Sequence, residues 1–347
     1  LAVYATDAYQ QARKKAQRFL NAAKSEEILF TRGTTESINL VAYSFGKAFV
    51  KPYDEILITE MEHHSNIVPW QILCEDRGAV LKVVPFDDKG VLDLDAYEKM
   101  LSPRVKLAAF THVSNALGTI NPVKQMVDMA HQKGVKVLVD GAQAAPHIPI
   151  DVQALDVDFY VFSGHKAYGP TGVGVLYAKE ALLNEMPPYQ GGGDMIEEVT
   201  FEKTTYNTLP MKFEAGTPII AETIGLGTAL DYMTAFNMER AHTWEQELLH
   251  YATQKMQSIP QLKIYGLSPQ KSGIISFNIE GVHHLDLGTL LDLKGIAIRT
   301  GHHCAQPVMR HFGITGTARI SFGLYTTKEE IDRFIEALNE VRKVLCG

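Results

Sequence analysis

The chain has 347 residues, 46% of them apolar and 21% charged, the composition of an ordinary globular protein long enough for one large domain and a smaller one. A net charge of −7 offers no cationic surface for nucleic acid, and no apolar run reaches transmembrane length, so neither nucleic acid nor membrane is expected as a partner. The three cysteines, Cys74, Cys304 and Cys346, form no CxxC pair, which argues against a disulfide framework and for a reducing, cytoplasmic setting.

The first two-thirds of the chain alternate apolar runs with amphipathic ones. Near the start, Arg32-Gly33-Thr34-Thr35-Glu36 opens a helix that carries Ile38, Leu40 and Val41. Its glycine permits close approach, its threonines offer hydroxyls and its first helical N–H groups point outward, a combination suited to a phosphate. The alternative is a plain threonine cap with Glu36 in the first turn. Strands are expected over 55–59, 81–86, 107–112, 136–140, 159–162 and 173–178. His63-His64 follows the first of these. Adjacent histidines do not share a helix face, so they are poor metal ligands; one imidazole stacked on a flat ring is as reasonable, and His64 reads as a surface residue at a helix start. Cys74 falls inside a helix and reads as a small buried thiol. Val123, Met126, Val127 and Ala130 share one face of a helix that Gly134 stops.

Strand–helix alternation of this kind implies a mainly parallel sheet covered on both faces, with functional groups beyond the carboxyl ends of its strands. Asp140-Gly141-Ala142-Gln143 and Ser163-Gly164-His165-Lys166 both fall at such ends. An aspartate there needs a cation, such as a protonated pyridine nitrogen, or hydrogen-bond donors. A partly desolvated lysine there can lose its proton and condense with a carbonyl.

From about Glu222 the pattern changes. One long helical stretch is expected through Tyr232, Trp244 and Leu248 to Met256. Strands over 274–279, 296–299 and 320–324, a helix over 285–293 and a final helix over 328–345 follow. The expected division is a large α/β domain over 1–234 and a small α+β domain over 235–347. In the second, Arg299-Thr300-Gly301-His302-His303-Cys304 places a thiol on a loop beside imidazoles and an arginine, a setting for a nucleophile. Consecutive His302, His303 and Cys304 give poor chelate geometry, and no metal is expected. Arg319 has the side chain best shaped to grip a carboxylate.

In order and spacing, the segments 32–36 with Ile38-Asn39-Leu40-Val41, 62–70, 114–119, 140–144, 163–170, 191–196, 213–218 and 299–307 resemble the fold-type I pyridoxal-phosphate enzymes, specifically the group II (Suf-type) cysteine desulfurases. The resemblance runs over nearly the whole chain. It implies an α/β large domain with a mostly parallel seven-stranded sheet sandwiched by helices, plus a small α+β C-terminal domain.

It also implies roles. Lys166 would be bonded to the cofactor's aldehyde and then serve as general base. Asp140 would pair with the pyridine nitrogen, Gln143 with the ring phenolate oxygen, and His63 would stack on the ring. Thr35, Ser163 and His165 would hold the phosphate with Thr34 nearby. Thr217 would reach the phosphate of the neighbouring subunit of a homodimer. Asn115 would sit by ring and substrate, and Arg319 would take the substrate carboxylate. Cys304 would accept sulfur, with Arg299 and His302 or His303 shaping its loop.

The implied reaction converts L-cysteine to L-alanine and leaves a persulfide on Cys304. That sulfur would pass to a small acceptor protein (SufE- or SufU-like) and on to iron–sulfur cluster assembly. Selenocysteine lyase on the same scaffold, or a non-catalytic partner-binding descendant of the fold, are the alternatives. The start at Leu1, without a methionine, suggests a fragment or processed form, and the resemblance implies a longer N-terminus in the family. Tyr325-Thr326-Thr327 stands where Tyr-Asn-Thr is more frequent, and Ile219-Ile220 where an asparagine is usual; neither touches an expected catalytic atom.

Overall fold

The computed structural model describes residues 2–346, so the outermost residues of the two expected domains, Leu1 and Gly347, lie outside it. The chain runs α1 (Ala2–Leu20), β1 (Ile28–Thr31), α2 (Thr34–Phe49), β2 (Glu55–Thr59), α3 (Val68–Arg77), β3 (Val80–Val84), α4 (Leu94–Met100), β4 (Val105–Thr111), α5 (Val123–Gln132), β5 (Lys136–Asp140), α6 (Val152–Leu155), β6 (Phe159–Ser163), β7 (Gly174–Ala178) and α7 (Glu180–Glu185). These strands form one seven-stranded sheet in the order β1-β7-β6-β5-β4-β2-β3. Strand β7 runs antiparallel to both its neighbours and the rest run parallel to one another, as expected of a mostly parallel sheet.

Every residue of β2, β6 and β7 is buried, because helices cover both faces. Alternation sends Leu138, Phe159 and Val161 to one face, against Ile38, Val41 and Phe45 of α2 and Trp70 of α3. Val137, Val139, Tyr160 and Phe162 go to the other, against Met126 and Val127 of α5.

A hairpin, β8 (Ile196–Val199) with β9 (Thr204–Tyr206), precedes the second part of the chain. That part comprises α8 (Ile220–Ala235), α9 (Met238–Gln257), β10 (Leu262–Tyr265), β11 (Ile274–Ile279), α10 (His284–Asp292), β12 (Arg299–Gly301), α11 (Gln306–His311), β13 (Thr317–Ser321) and α12 (Lys328–Cys346). Its four-stranded antiparallel sheet, β10-β11-β13-β12, packs Phe277 and Ile320 against Leu248 of α9, Leu291 of α10 and Phe334 of α12.

Several expectations need correction. The long helix expected from about Glu222 to Met256 is two helices. Phe236 is extended, and the Asn237 side chain accepts from the Arg240 N–H to start α9 afresh. The strand expected over 296–299 begins at Arg299 and runs to Gly301, where it pairs with Arg319 to Thr317 of β13. β13 itself begins at Thr317, earlier than the expected 320. The sequence does not announce β1, β8, β9 or β10; each has three or four residues, too short for a period-2 pattern to stand out.

Helix α8 contributes Leu226, Leu230 and Met233 to the large core, whereas α9 contributes Leu248 and Ala252 to the small one. This change of core at 236–237 supports the proposed division near residue 235. The division is not clean: Ala305, Val308 and Met309 of the second part pack into the large core. No helix among the described residues is long and apolar enough to cross a membrane.

Candidate active site

Strands β4, β5 and β6 end at Thr111, Asp140 and Ser163, all on the carboxyl edge of the sheet, and the start of α2 meets them there. A cavity of about 220 Å³ opens at this edge. Thr34, Thr35, Ser163 and His165 border it, as do Asp140, Gln143 and Asn115 and, with them, His63, Lys166 and Arg299. The fold thus gathers residues separated by up to hundreds of positions around one small space.

One part of the cavity is built for an anion. The Thr34 N–H donates to Ser163 Oγ at 2.9 Å, and the two hydroxyls also lie 2.9 Å apart. These donors sit at the N-terminus of a 16-residue helix, where the partial positive charge of the backbone favours phosphate. Close approach depends on two glycines. A Cβ at Gly174 would lie 2.5 Å from Gly33 Cα, and one at Gly33 would press on Ser163 Oγ at 3.3 Å.

Lys166 ends the short turn after β6. The residue is only partly buried, but the cavity walls desolvate its amine. That desolvation lowers its pKa, opposed by Asp140 and reinforced by Arg319 and Arg299. Asp140 is 4% exposed and accepts from the Ala142 N–H at 2.9 Å. Burial raises its pKa, with Lys166 and the Ala142 N–H pulling the other way. Burial, then Lys166, His64 and Arg299, push His63 down to about 4, so its ring is neutral. Its Nδ1 accepts the Ser65 N–H at 3.1 Å, which fixes the tautomer and the ring's direction. A neutral-leaning amine suits an aldehyde, the carboxylate suits a protonated ring nitrogen, and the helix end suits a phosphate. The residues present therefore fit a pyridoxal phosphate.

Sequence reasoning missed a deeper layer. Glu62 is fully buried, bonded to the Thr59 hydroxyl, the Asn66 Nδ2 and the Thr111 N–H, while Trp70 Nε1 donates to Asn66 Oδ1 at 2.8 Å. Burial raises it to about 8, against those three donors. This network fixes the turn that carries His63. Behind Asp140, Tyr160 meets His112 Nδ1 at 3.0 Å, and a Cβ at Gly141 would collide with the Tyr160 ring at 2.1 Å. The available signal was the position of Glu62 immediately before the two histidines.

Cys304, Arg319 and Thr217 do not border the cavity. Cys304 lies on the loop between β12 and α11, half-buried, with Arg299 Nη2 at 4.0 Å from Sγ. His303 and Cys304 have φ of 54° and 56°, the left-handed region that costs a non-glycine residue about 1–2 kcal/mol. The loop is tied down accordingly. Asn115 Nδ2 donates to the His303 carbonyl at 2.6 Å, the His64 N–H to the Cys304 carbonyl at 2.8 Å, and His303 Nε2 meets Thr317 Oγ1 at 2.8 Å. Burial pushes His303 down to about 3, followed by Arg319 and Arg299. Arg319 donates through Nη1 to the Asn115 carbonyl at 2.7 Å and keeps a buried Nε without a partner. Burial, then Arg299, lowers it to about 10. His302 packs its ring 5.6 Å from that of His64. Thr217 borders a separate cavity with Tyr9, Arg32 and Tyr189. Cys74 is buried in α3, where desolvation pushes its thiol up to about 11. Among the described residues no cluster of three or more His, Cys, Asp or Glu side chains is placed to hold a metal ion.

The fold and this site define a pyridoxal-phosphate-dependent enzyme of fold type I. The chain belongs to the aminotransferase class-V family, whose model matches residues 1–334. It is 52% identical over 347 residues to a probable cysteine desulfurase 1 of Mycobacterium leprae, covering 100% of this chain and 56% of that protein's length. It is 50% identical over 346 residues to a cysteine desulfurase of Escherichia coli O127:H6, covering 99% of this chain and 85% of the relative. Among solved structures, the cysteine desulfurase CsdA (S-sulfonic acid) of Escherichia coli superposes with a TM-score of 0.95 at 41% identity, over 99% of this chain and 86% of that one.

Proposed function

We propose that this chain is a group II cysteine desulfurase that converts L-cysteine to L-alanine and captures the sulfur as a persulfide on Cys304. The carrying observation is the Asn115 bond. Asn115 borders the cavity that holds Lys166 and Asp140, and its Nδ2 ties down the loop that bears Cys304. A carbonyl-trapping site and a thiol are thereby joined in one unit.

When bound, pyridoxal phosphate supplies a sink for the electrons released at the substrate's α-carbon. Thr34, Thr35, Ser163 and His165 would hold its phosphate, Asp140 its ring nitrogen, Gln143 its phenolate oxygen, His63 its ring face and Lys166 its aldehyde carbon. The protein's own groups do the rest. Arg299, which borders the cavity, and Arg319, whose guanidinium is held by the Asn115 carbonyl, would orient the substrate carboxylate. The Lys166 amine, biased toward its neutral form, accepts the α-proton. The Cys304 thiolate then attacks the substrate sulfur. An S–S bond forms as the substrate's Cβ–S bond breaks, and the electron pair goes to carbon. That carbon gains a proton and becomes the methyl group of alanine. Cysteine plus enzyme thiol gives alanine plus enzyme persulfide, so the step balances without an outside oxidant.

Three finer points belong to the same reading. Thr217, which borders a cavity other than the phosphate cradle of its own chain, fits a role at a neighbouring subunit's phosphate, and the protein is a homodimer. A small SufE- or SufU-like protein takes the sulfur toward iron–sulfur cluster assembly. The composition and unpaired cysteines support a cytoplasmic protein.

The test is incubation of the holoenzyme with L-cysteine in the absence of reductant, followed by amino-acid analysis and intact-mass measurement. One equivalent of alanine and a gain of one sulfur atom on the Cys304 peptide are expected. Pyruvate and ammonia in place of alanine, or an unmodified Cys304, would refute the reading. Running selenocysteine in parallel compares the lyase alternative, which requires selenium release to far exceed sulfur release.

Replacing Asp140 by alanine is expected to lower turnover about ten- to a hundredfold, the value of one hydrogen bond to a charged group (about 1.5–3 kcal/mol). The thermal midpoint of the cofactor-free protein is expected not to fall, because the change deletes a buried carboxylate that burial already disfavours. Steady-state kinetics and calorimetry check the two halves.

A further inference from the structure

Two neighbouring histidines follow β2, and only the first borders the cavity. His64, expected at the surface, is instead half-buried and faces the other way, toward the second part of the chain, because the loop of Cys304 packs against it. Its backbone N–H donates to the Cys304 carbonyl at 2.8 Å. Its ring Nε2 lies 3.2 Å from the backbone N of Gln306 and accepts that N–H, the first of α11. The ring also packs beside His302, whose Nδ1 accepts the Cys304 N–H at 3.1 Å. His64 therefore grips the chain at the thiol residue and again two positions beyond it. The neutral ring that this acceptor role requires is favoured by burial and by the nearby His302, both of which lower the His64 pKa.

The loop needs such a grip. His303 and Cys304 both occupy left-handed backbone, which no single residue of this type prefers, so surrounding contacts must impose it. Glu62, Asn66 and Trp70 make the gripping side rigid, since their buried hydrogen bonds fix the turn that carries His64.

We propose that His64 is a positioning residue for sulfur transfer, holding Cys304 in its left-handed conformation by accepting the Gln306 N–H while its own N–H binds the Cys304 carbonyl. This rests on the desulfurase reading above. The two adjacent histidines then have separate roles, with His63 acting at the cofactor ring and His64 at the nucleophile. The substitution His64→Ala removes the ring acceptor and spares the backbone bond. His64→Gln returns an acceptor oxygen at a similar reach.

The experiment compares the wild type, His64→Ala and His64→Gln as holoenzymes. For His64→Ala, the cofactor's visible spectrum and its change on adding cysteine are expected to match the wild type. The single-turnover rate of persulfide formation on Cys304 is expected to fall about tenfold, the effect of losing one orienting hydrogen bond. Hydrogen exchange at the Gln306 amide is expected to speed up by a similar factor, and His64→Gln to recover most of both losses. The exchange measurement reads the grip without any turnover, so a wild type that formed no persulfide would sink the desulfurase reading while still testing the contact. Unchanged exchange at Gln306 in His64→Ala would overturn the proposal. So would an unchanged persulfide rate, a loss of cofactor binding in step with activity, or a glutamine variant no better than alanine.

Discussion

Lys166→Ala is expected to reduce alanine formation from cysteine by about a thousandfold or more, the scale of removing a general base that is also the covalent anchor. The reason lies in the environment of the amine. It sits in a cavity of about 220 Å³ where desolvation lowers its pKa while Asp140 restrains the fall. Such an amine gives up its proton more readily than a free lysine, as it must both to bond a carbonyl carbon and to take a proton. The variant is expected to retain cofactor through Thr34, Ser163 and Asp140, but without a covalent link. Borohydride reduction followed by peptide mapping is expected to label the peptide 163–170 in the wild type and nothing in the variant. Lys166→Arg is expected to be equally inactive, because a guanidinium stays protonated. Undiminished turnover in Lys166→Ala would end the proposal at its root.

Cys304→Ala is expected to be as severe for sulfur transfer, about a thousandfold or more, and nearly silent for everything before it. Cysteine is still expected to bind and to change the cofactor spectrum, since the cavity residues are untouched. No persulfide is expected to accumulate. The other two cysteines make the control sharp. Cys74 is buried in α3 with its thiol pushed up to about 11, and Cys346 lies at the exposed end of α12. Alanine at either is expected to leave the rate within about twofold, as for changes remote from a reacting centre. Sulfur transfer that survived Cys304→Ala but failed in Cys74→Ala would move the nucleophile to a different thiol. Mass spectrometry after one turnover distinguishes the cases.

Much of the architecture is legible in the sequence. Residues 137–139 and 159–162 are unbroken apolar runs because both sheet faces are covered, and a run of that kind announces a central parallel strand. The charged or hydroxylated residue that ends each run, Asp140 or Ser163, marks the carboxyl edge where ligands gather. The elements that escaped were those whose formation depends on partners far away in sequence. Strand β1 exists because β7 returns beside it, pairing Ile28 to Thr31 with Tyr177 to Gly174. The helix break at Phe236 and Asn237 follows from a cap that a periodic apolar pattern does not reveal.

The candidate site divides in the same way. Residue types and local order alone pointed to a lysine after a strand, an aspartate after another, a threonine-rich helix start and a thiol beside histidines. Those features are chemical and local, so one dimension carries them. Packing alone could show that Asn115 and His64 reach across to the loop of Cys304, that Glu62 is buried beneath His63, and that Thr217 lies apart from the cradle in its own chain. Each of these depends on distances between segments up to 242 positions apart. Such distances are set by how sheets and helices exclude water together, which no local pattern encodes.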